Sequence, residues 1–268
     1  MFCIAIALVL PLSLSSAYSL AGDWAAAKAS LRKPDCCVVS VSGLGDHLSI
    51  LQAEWSEAPA DLDLRARVRV QSALGDDCER IYRSVSMNDV GKENSCTAAL
   101  EELARGVASL ADGPLEGICE DVFLRVVCAS DYRAIDPMYH TDKCPLRGYV
   151  TLHGLGTEFL TRPSSPMEYA TLRALGQGGD SSRNAEELEF IVMKGDYYRA
   201  NNTPPTWKER IWTRTSACVH RSPPGVGGRR VIVSLDLADS DDDQEWYQAN
   251  KKREWRSGMT QRKSRLVA

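Results

Sequence analysis

The chain has 268 residues, 44% of them hydrophobic and 7% aromatic, which is enough to bury a sizeable core in one large domain or two small ones. Thirty-two Lys and Arg against thirty-six Asp and Glu leave a net charge of −4. That balance excludes a general electrostatic attraction for nucleic acid or anionic membrane, so a small-molecule or protein substrate is the expected partner.

Residues 1–22, "MFCIAIALVLPLSLSSAYSLAG", are apolar for about a dozen positions and then turn small and polar, with Ala17 and Ser19 spaced as at a signal-peptidase site. This predicts a cleaved targeting segment that directs the protein to the secretory pathway or an organelle. The stretch lacks Lys and Arg, so a buried N-terminal helix in a cytoplasmic protein is the competing reading. A run interrupted by Pro11 is short for a stable membrane span. The nine cysteines form no CxxC pair or metal-finger spacing, and they read as scattered, mostly unpaired thiols. Neither a disulfide pattern nor an oligomeric state follows from them.

Residues 23–114 read as an α/β flanking region. In "TAALEELARGVASLADG", Leu100, Leu103, Val107 and Leu110 recur at helical spacing, with Ser95 or Thr97 as the N-cap and Gly113 near the end. From Val122 the texture changes. "DVFLRVVCA", "RGYVTLHGLGTEFL", "EFIVMKGDYY" and "RRVIVSLDLA" are short, β-branched or aromatic, and separated by Gly, Pro, Asp and Asn. Residues 163–188 form a Ser/Gly/Pro-rich insertion holding one short helix. The expected class is α+β, with a β-sandwich or barrel over residues 115–240 and helices supplied by the N-terminal half. Residues 241–268 pass from "DSDDDQE" to "KKREWRSGMTQRKSR" and read as a charged, partly disordered tail or a partner-docking arm.

The chemistry-bearing pattern is "YHTDKCPLRGYV". On an extended segment residues i and i+2 share a face, so His140 and Asp142 aim an imidazole and a carboxylate at one point. A further histidine would complete a two-His-one-carboxylate triad, a donor set that suits Fe(II) and leaves positions open. Zn(II) is the alternative metal. Only four histidines exist, and His220 in "ACVHRSPPGVGGRRVIVSLDL" is the best-placed third ligand. His140 and Asp142 also read as a hydrogen-bonded surface pair, and His220 as the cap of the Ser-Pro-Pro turn. His153 reads as packed beside Arg147 and Tyr149, and His47 in "GLGDH" as a loop residue. Arg230 lies ten positions after His220, with Ser234 on the same strand face and Arg229 on the other. Its planar guanidinium can hold a carboxylate through two parallel hydrogen bonds.

The order H-x-D, distal His, then a basic residue about ten positions later resembles the 2-oxoglutarate and Fe(II) oxygenases built on a double-stranded β-helix. The resemblance implies a jelly-roll or cupin-like core over residues 115–240, with His140, Asp142 and His220 as catalytic metal ligands. Arg230 and Ser234 would then bind the co-substrate 2-oxoglutarate. The Arg-x-Ser arrangement of some of these enzymes is absent. Residues 115–238 also resemble the domain of unknown function 1826 family, whose members carry similar F-H-x-D-x-V-x-x-R-L…Y-x-G-x-G-T-E-W-L, L-L-K-G-E-x-W and V-H-R-S-P…R-R-L-L-L-T-L-D blocks. By that match Arg147, Thr157, Glu158, Lys194, Arg221 and Ser222 also fall on motif positions, although the linker "TPPTWKERIWTRTSA" is longer here. Three functions stay open: an oxygenase that hydroxylates or demethylates a substrate, a metal-binding module without oxygenase activity, and a partner-binding scaffold with a degenerate site.

Overall fold

The computed structural model describes residues 18–56, 58, 61–86, 93–111, 121–131, 137–176, 181–196, 198, 216–225, 227–238 and 264–266. In chain order the elements are β1 (Tyr18–Ala21), α1 (Trp24–Leu31), β2 (Val38–Val41), α2 (Gly45–Trp55), β3 (Leu62–Val68), α3 (Leu74–Val85) and α4 (Glu93–Ser109). They continue with β4 (Asp121–Ala129), β5 (Leu146–His153), β6 (Glu158–Leu160), α5 (Pro166–Leu175), β7 (Ser182–Asn184), β8 (Phe190–Lys194), β9 (His220–Arg221), β10 (Arg230–Ala238) and β11 (Ser264–Leu266).

Eight strands form one sheet in the order β1-β2-β8-β5-β10-β4-β3-β11. Its central pairs are antiparallel, and β1 and β11 add in parallel at the two edges. A second sheet, β7-β6-β9, is antiparallel and is extended by a bridge between His140 and His220.

The period of two along each strand decides which layer a residue joins. On β10, Val231, Val233, Leu235 and Leu237 join the large cluster built with α1 to α4. Ile232, from the other set of alternating residues, packs with Tyr149, Ile191 and Phe159 of the small sheet. Four helices therefore cover one face of the large sheet, and the small sheet lies over part of the other. Alternation then separates the small sheet's own faces. Phe159 and Cys218 pack inward, while Leu160 and Val219 join Tyr139 and Leu172 of α5 on the outside.

The helices form where local signals agree with this packing. In α4, Leu100, Leu103 and Val107 are all buried, as is Leu110 just after its end, and each such side chain stabilises by about 1.5–3 kcal/mol relative to exposure. The helix starts at Glu93, so Ser95 and Thr97 lie inside it and neither caps it; an apolar stripe fixes a helix's face better than its end. In α5, Ser165 accepts the amide of Glu168, Pro166 opens the first turn, and Gly176 closes it in the left-handed region at φ 68°.

The expected strand-rich and helix-rich stretches are present, but their division between halves is not. β1, β2 and β3 come from the N-terminal region and pair in the same sheet as β4, β5, β8 and β10. Short strands such as "VVSV" are buried on both faces and so lack the polar alternation that marks a strand in sequence. The 163–188 insertion contributes β7 as well as its one helix. His47 lies in the first turn of α2, not in a loop. Most of the leader and of the tail lies outside the described residues; the exceptions are residues 18–22, which include β1, and β11. Among the described residues, seven cysteines are free and buried, and no helix is long and apolar enough to cross a membrane.

Candidate metal centre

His140 and His220 face each other because their backbones pair. Each amide donates to the other's carbonyl, at 2.8 and 2.9 Å, and this places the two rings 4.4 Å apart between centroids. Asp142 follows His140 by two residues and sits buried between the sheets. One ligand atom from each of the three residues falls within 4.8 Å of the others.

The hydrogen bonds define what those atoms can do. Nδ1 of His140 is 3.0 Å from the Met138 carbonyl, and Nδ1 of His220 is 3.1 Å from the Cys218 carbonyl. A carbonyl only accepts, so both Nδ1 atoms carry the hydrogen and both Nε2 atoms present a lone pair to the centre. Asp142 Oδ2 lies 3.1 Å from His220 Nε2, yet it is buried without a hydrogen-bond partner. Two acceptors held that close call for a cation between them, either a proton or a metal ion. The residues therefore fit a divalent cation that takes two imidazole nitrogens and one carboxylate oxygen. Cys144 and Cys218 are the nearest thiols in sequence, and burial keeps both protonated by pushing them well above the ordinary thiol range.

The other oxygen of Asp142 is engaged. Arg147 Nη1 is 2.7 Å from Oδ1, while its Nε and Nη2 reach the two oxygens of Asp236 at 2.5 and 2.7 Å. Burial, the largest single influence, raises the Asp142 carboxyl, but Arg147, His220 and His140 together outweigh it and hold the group well below the usual carboxylate range.

The outer face of the small sheet locks the two histidine segments together. Tyr139 donates to Glu158 Oε1 at 2.5 Å, Arg221 Nε donates to Oε2 at 2.7 Å, and the guanidinium stacks 4.5 Å over the Tyr139 ring. Burial, then Glu158, pushes the Tyr139 phenol up to about 12, so it remains a donor. Arg221 also donates to the Gly176 carbonyl at the end of α5. Tyr139 and Arg221 adjoin His140 and His220, so this clamp holds the segments without facing the centre.

Arg230 and Ser234 are buried on the same face of β10, with Asp236 at the next alternate position. Arg230 donates through Nε to the Leu155 carbonyl at 2.7 Å and through Nη2 to Tyr149 Oη at 2.8 Å and Thr157 Oγ1 at 3.4 Å. Ser234 lies across from Tyr149 on β5 and Arg125 on β4. Arg229 turns to the helix side, where it donates to the Trp55 and Ala58 carbonyls after α2. Lys194 also belongs to that side. Its Nζ donates to the Lys33 carbonyl and rests 4.7 Å over Tyr198, away from the histidines. Asp236, and the hydrogen bonds that Arg230 donates to Tyr149 and Thr157, were absent from the expectations drawn from sequence. Asp236 was reachable, since it repeats the period of Arg230 and Ser234.

Residues 51–236 match the model for the family described as Protein of unknown function (DUF1826). The chain belongs to the DUF1826 family. The matched span contains His140, Asp142, Arg147, His220 and Arg230, while β1, α1 and β2 precede it. No curated protein matches the chain. Similar solved structures include the dioxygenase for auxin oxidation in rice, 14% identical, covering 83% of this chain and 84% of that one with a TM-score of 0.50. Dioxygenase for auxin oxidation 1 from Arabidopsis thaliana, in a binary complex with 2-oxoglutarate, is 10% identical over 80% of this chain and 88% of that one, with a TM-score of 0.51. At these identities the likeness establishes the fold, a mixed α/β architecture with a large sheet.

Proposed function

We propose that this DUF1826 protein is an Fe(II)- and 2-oxoglutarate-dependent dioxygenase, its two sheets forming the halves of a double-stranded β-helix. The observation that carries the reading is the unsatisfied Asp142 Oδ2 facing the lone pair of His220 Nε2 beside His140. His140, Asp142 and His220 hold the iron, and Arg230 holds the far carboxylate of 2-oxoglutarate with help from the Tyr149 and Thr157 hydroxyls. Ser234 lies on the same strand face and borders the co-substrate. When bound, the iron and 2-oxoglutarate supply oxygen activation and two of the four electrons it needs, with the substrate supplying the other two.

The protein's own work is binding, orientation and exclusion of water. The carbonyls of Met138 and Cys218 fix the imidazole tautomers, and the clamp of Tyr139, Glu158 and Arg221 fixes the segments that carry them. The His140 side chain is 20% exposed, against 5% for Asp142. A small molecule or an exposed protein side chain therefore reaches the centre past His140.

The test is metal content after purification, followed by 2-oxoglutarate consumption with and without iron. Wild type is expected to bind iron and consume 2-oxoglutarate in an iron-dependent way. His140→Ala, Asp142→Ala and His220→Ala are each expected to lose the metal while remaining folded. Tight zinc without 2-oxoglutarate consumption would replace the reading with a zinc-binding module. A wild type that binds no metal would leave a partner-binding scaffold.

A further inference from the structure

The two oxygens of Asp142 have different partners. Oδ1 is paired with Arg147 Nη1 at 2.7 Å and lies 4.0 Å from His140 Nε2, whereas Oδ2 faces His220 Nε2 at 3.1 Å and has no further polar partner. Arg147 cannot swing away, because its Nε and Nη2 grip both oxygens of Asp236. The grip is set by strand register, since Arg147 on β5 lies directly opposite Asp236 on β10. All three residues are largely shielded from water, with side-chain exposures of 22% for Arg147 and 5% for each aspartate.

We propose that Arg147, anchored by Asp236, is a positioning residue that restricts Asp142 to ligation through Oδ2 alone and so keeps an extra coordination position open on the metal. The inference rests on the reading of His140, Asp142 and His220 as metal ligands. A carboxylate left to itself can chelate a divalent ion through both oxygens and occupy two positions. Here chelation would require Oδ1 to leave a charge-assisted bond in a dry setting, where such bonds are strongest. An arginine suits the task because it stays charged and its planar fork can hold two carboxylates at once. Lysine presents one point charge and can hold one of them well. With two histidines and one oxygen engaged, a six-coordinate ion keeps about three positions for water, co-substrate and oxygen. A chelating aspartate would leave about two.

The experiment counts those positions without requiring turnover. Purified protein is loaded with Mn(II), and the number of water molecules on the bound ion is obtained from water-proton relaxation. Wild type is expected to show about three, Arg147→Met about two, and Arg147→Lys a return toward three. If Arg147→Met does not fold, Arg147→Met combined with Asp236→Leu removes both buried partners at once, an exchange that cores tolerate better than the loss of one. It is expected to show about two as well. A purely structural arginine would alter stability or occupancy but not the water count of the ion that remains. Equal counts in wild type and the Met variants, or about two in wild type itself, would overturn the role of Arg147 and leave the three ligands intact. Failure of wild type to bind Mn(II), Fe(II) or Zn(II) would overturn the metal site, and this inference with it.

Discussion

Replacing Arg230 by Ala is expected to leave iron bound and to weaken 2-oxoglutarate. The guanidinium is buried at 5% exposure and is oriented by the Leu155 carbonyl and the Tyr149 hydroxyl at 2.7 and 2.8 Å. Losing one partner of a desolvated, hydrogen-bonded charge pair costs about 2–5 kcal/mol. At about 1.4 kcal/mol per tenfold, that is a loss of roughly thirtyfold to a few thousandfold in affinity. The Tyr149 and Thr157 hydroxyls survive the substitution and can still donate to the carboxylate, which favours the lower end of the range. Arg230→Lys should recover part of the binding, because it keeps the charge and loses the planar fork. Arg229→Ala is the control. Its guanidinium closes off α2 on the opposite face, so its loss is felt as stability and not as co-substrate affinity. Calorimetric titration of anaerobic, iron-loaded protein with 2-oxoglutarate measures all four proteins. Absence of binding to wild type would remove the co-substrate assignment, and equal losses at 229 and 230 would contradict the facing of β10.

The other predictions concern the supports of the site and the chain's start. A Cβ on Gly195 would meet the Cys144 carbonyl oxygen at 2.0 Å and that of Asp142 at 2.8 Å, so Gly195→Ala must displace the loop carrying Asp142. It is expected to lower metal occupancy; unchanged occupancy would show that the loop has slack. Burial raises the Asp63 carboxyl, but Arg125 and Arg65 outweigh it and hold it below the ordinary range. Its stabilising effect is therefore complete above about pH 4 and is lost as pH falls through the lower folded-state value. Urea unfolding in acid should show a steeper loss for wild type than for Asp63→Asn, and parallel slopes would refute that. The leader is proposed to be removed near Ser19, to give a mature protein starting around Leu20. That start would discard Tyr18, whose hydroxyl donates to Glu189 at 2.6 Å and whose ring lies 6.2 Å from Phe159. N-terminal sequencing that finds Met1 on correctly localised protein would reject the leader altogether.

The sequence made the strands of the C-terminal half legible because β4, β5, β8 and β10 are short apolar runs bounded by turn residues. It made the α4 stripe legible because one face repeats every three to four residues. β2 was not legible: "VVSV" is buried throughout, and a four-residue apolar run has the same appearance in a helix or a loop. His140 and Asp142 stood out because the spacing that places them on one face is local. His220 needed the backbone bridge to His140, a contact across 80 positions (140 to 220) that no local rule predicts. The Arg147 to Asp236 pair spans 89 positions and depends on the register of two strands, which a single chain does not display.

Register is also what couples stability to chemistry in this fold. On β10 the residues that pack against the helices alternate one by one with the buried polar ones, Val231, Val233 and Leu235 among the former and Arg230, Ser234 and Asp236 among the latter. A slip of one position would send Arg230 and Asp236 into the helix-covered core and turn the valines toward the histidines. Burying either charge there without its partner would cost several kcal/mol, while the apolar side chains moved to the other face would lose their packing against the helices and leave the polar partners of Arg230 and Asp236 unsatisfied. Both effects favour the observed pairing. The apolar alternation that makes β10 a strand thus also aims its arginine and its aspartate, and because His140, Asp142 and His220 lie outside it, their substitution is expected to leave the large sheet folded.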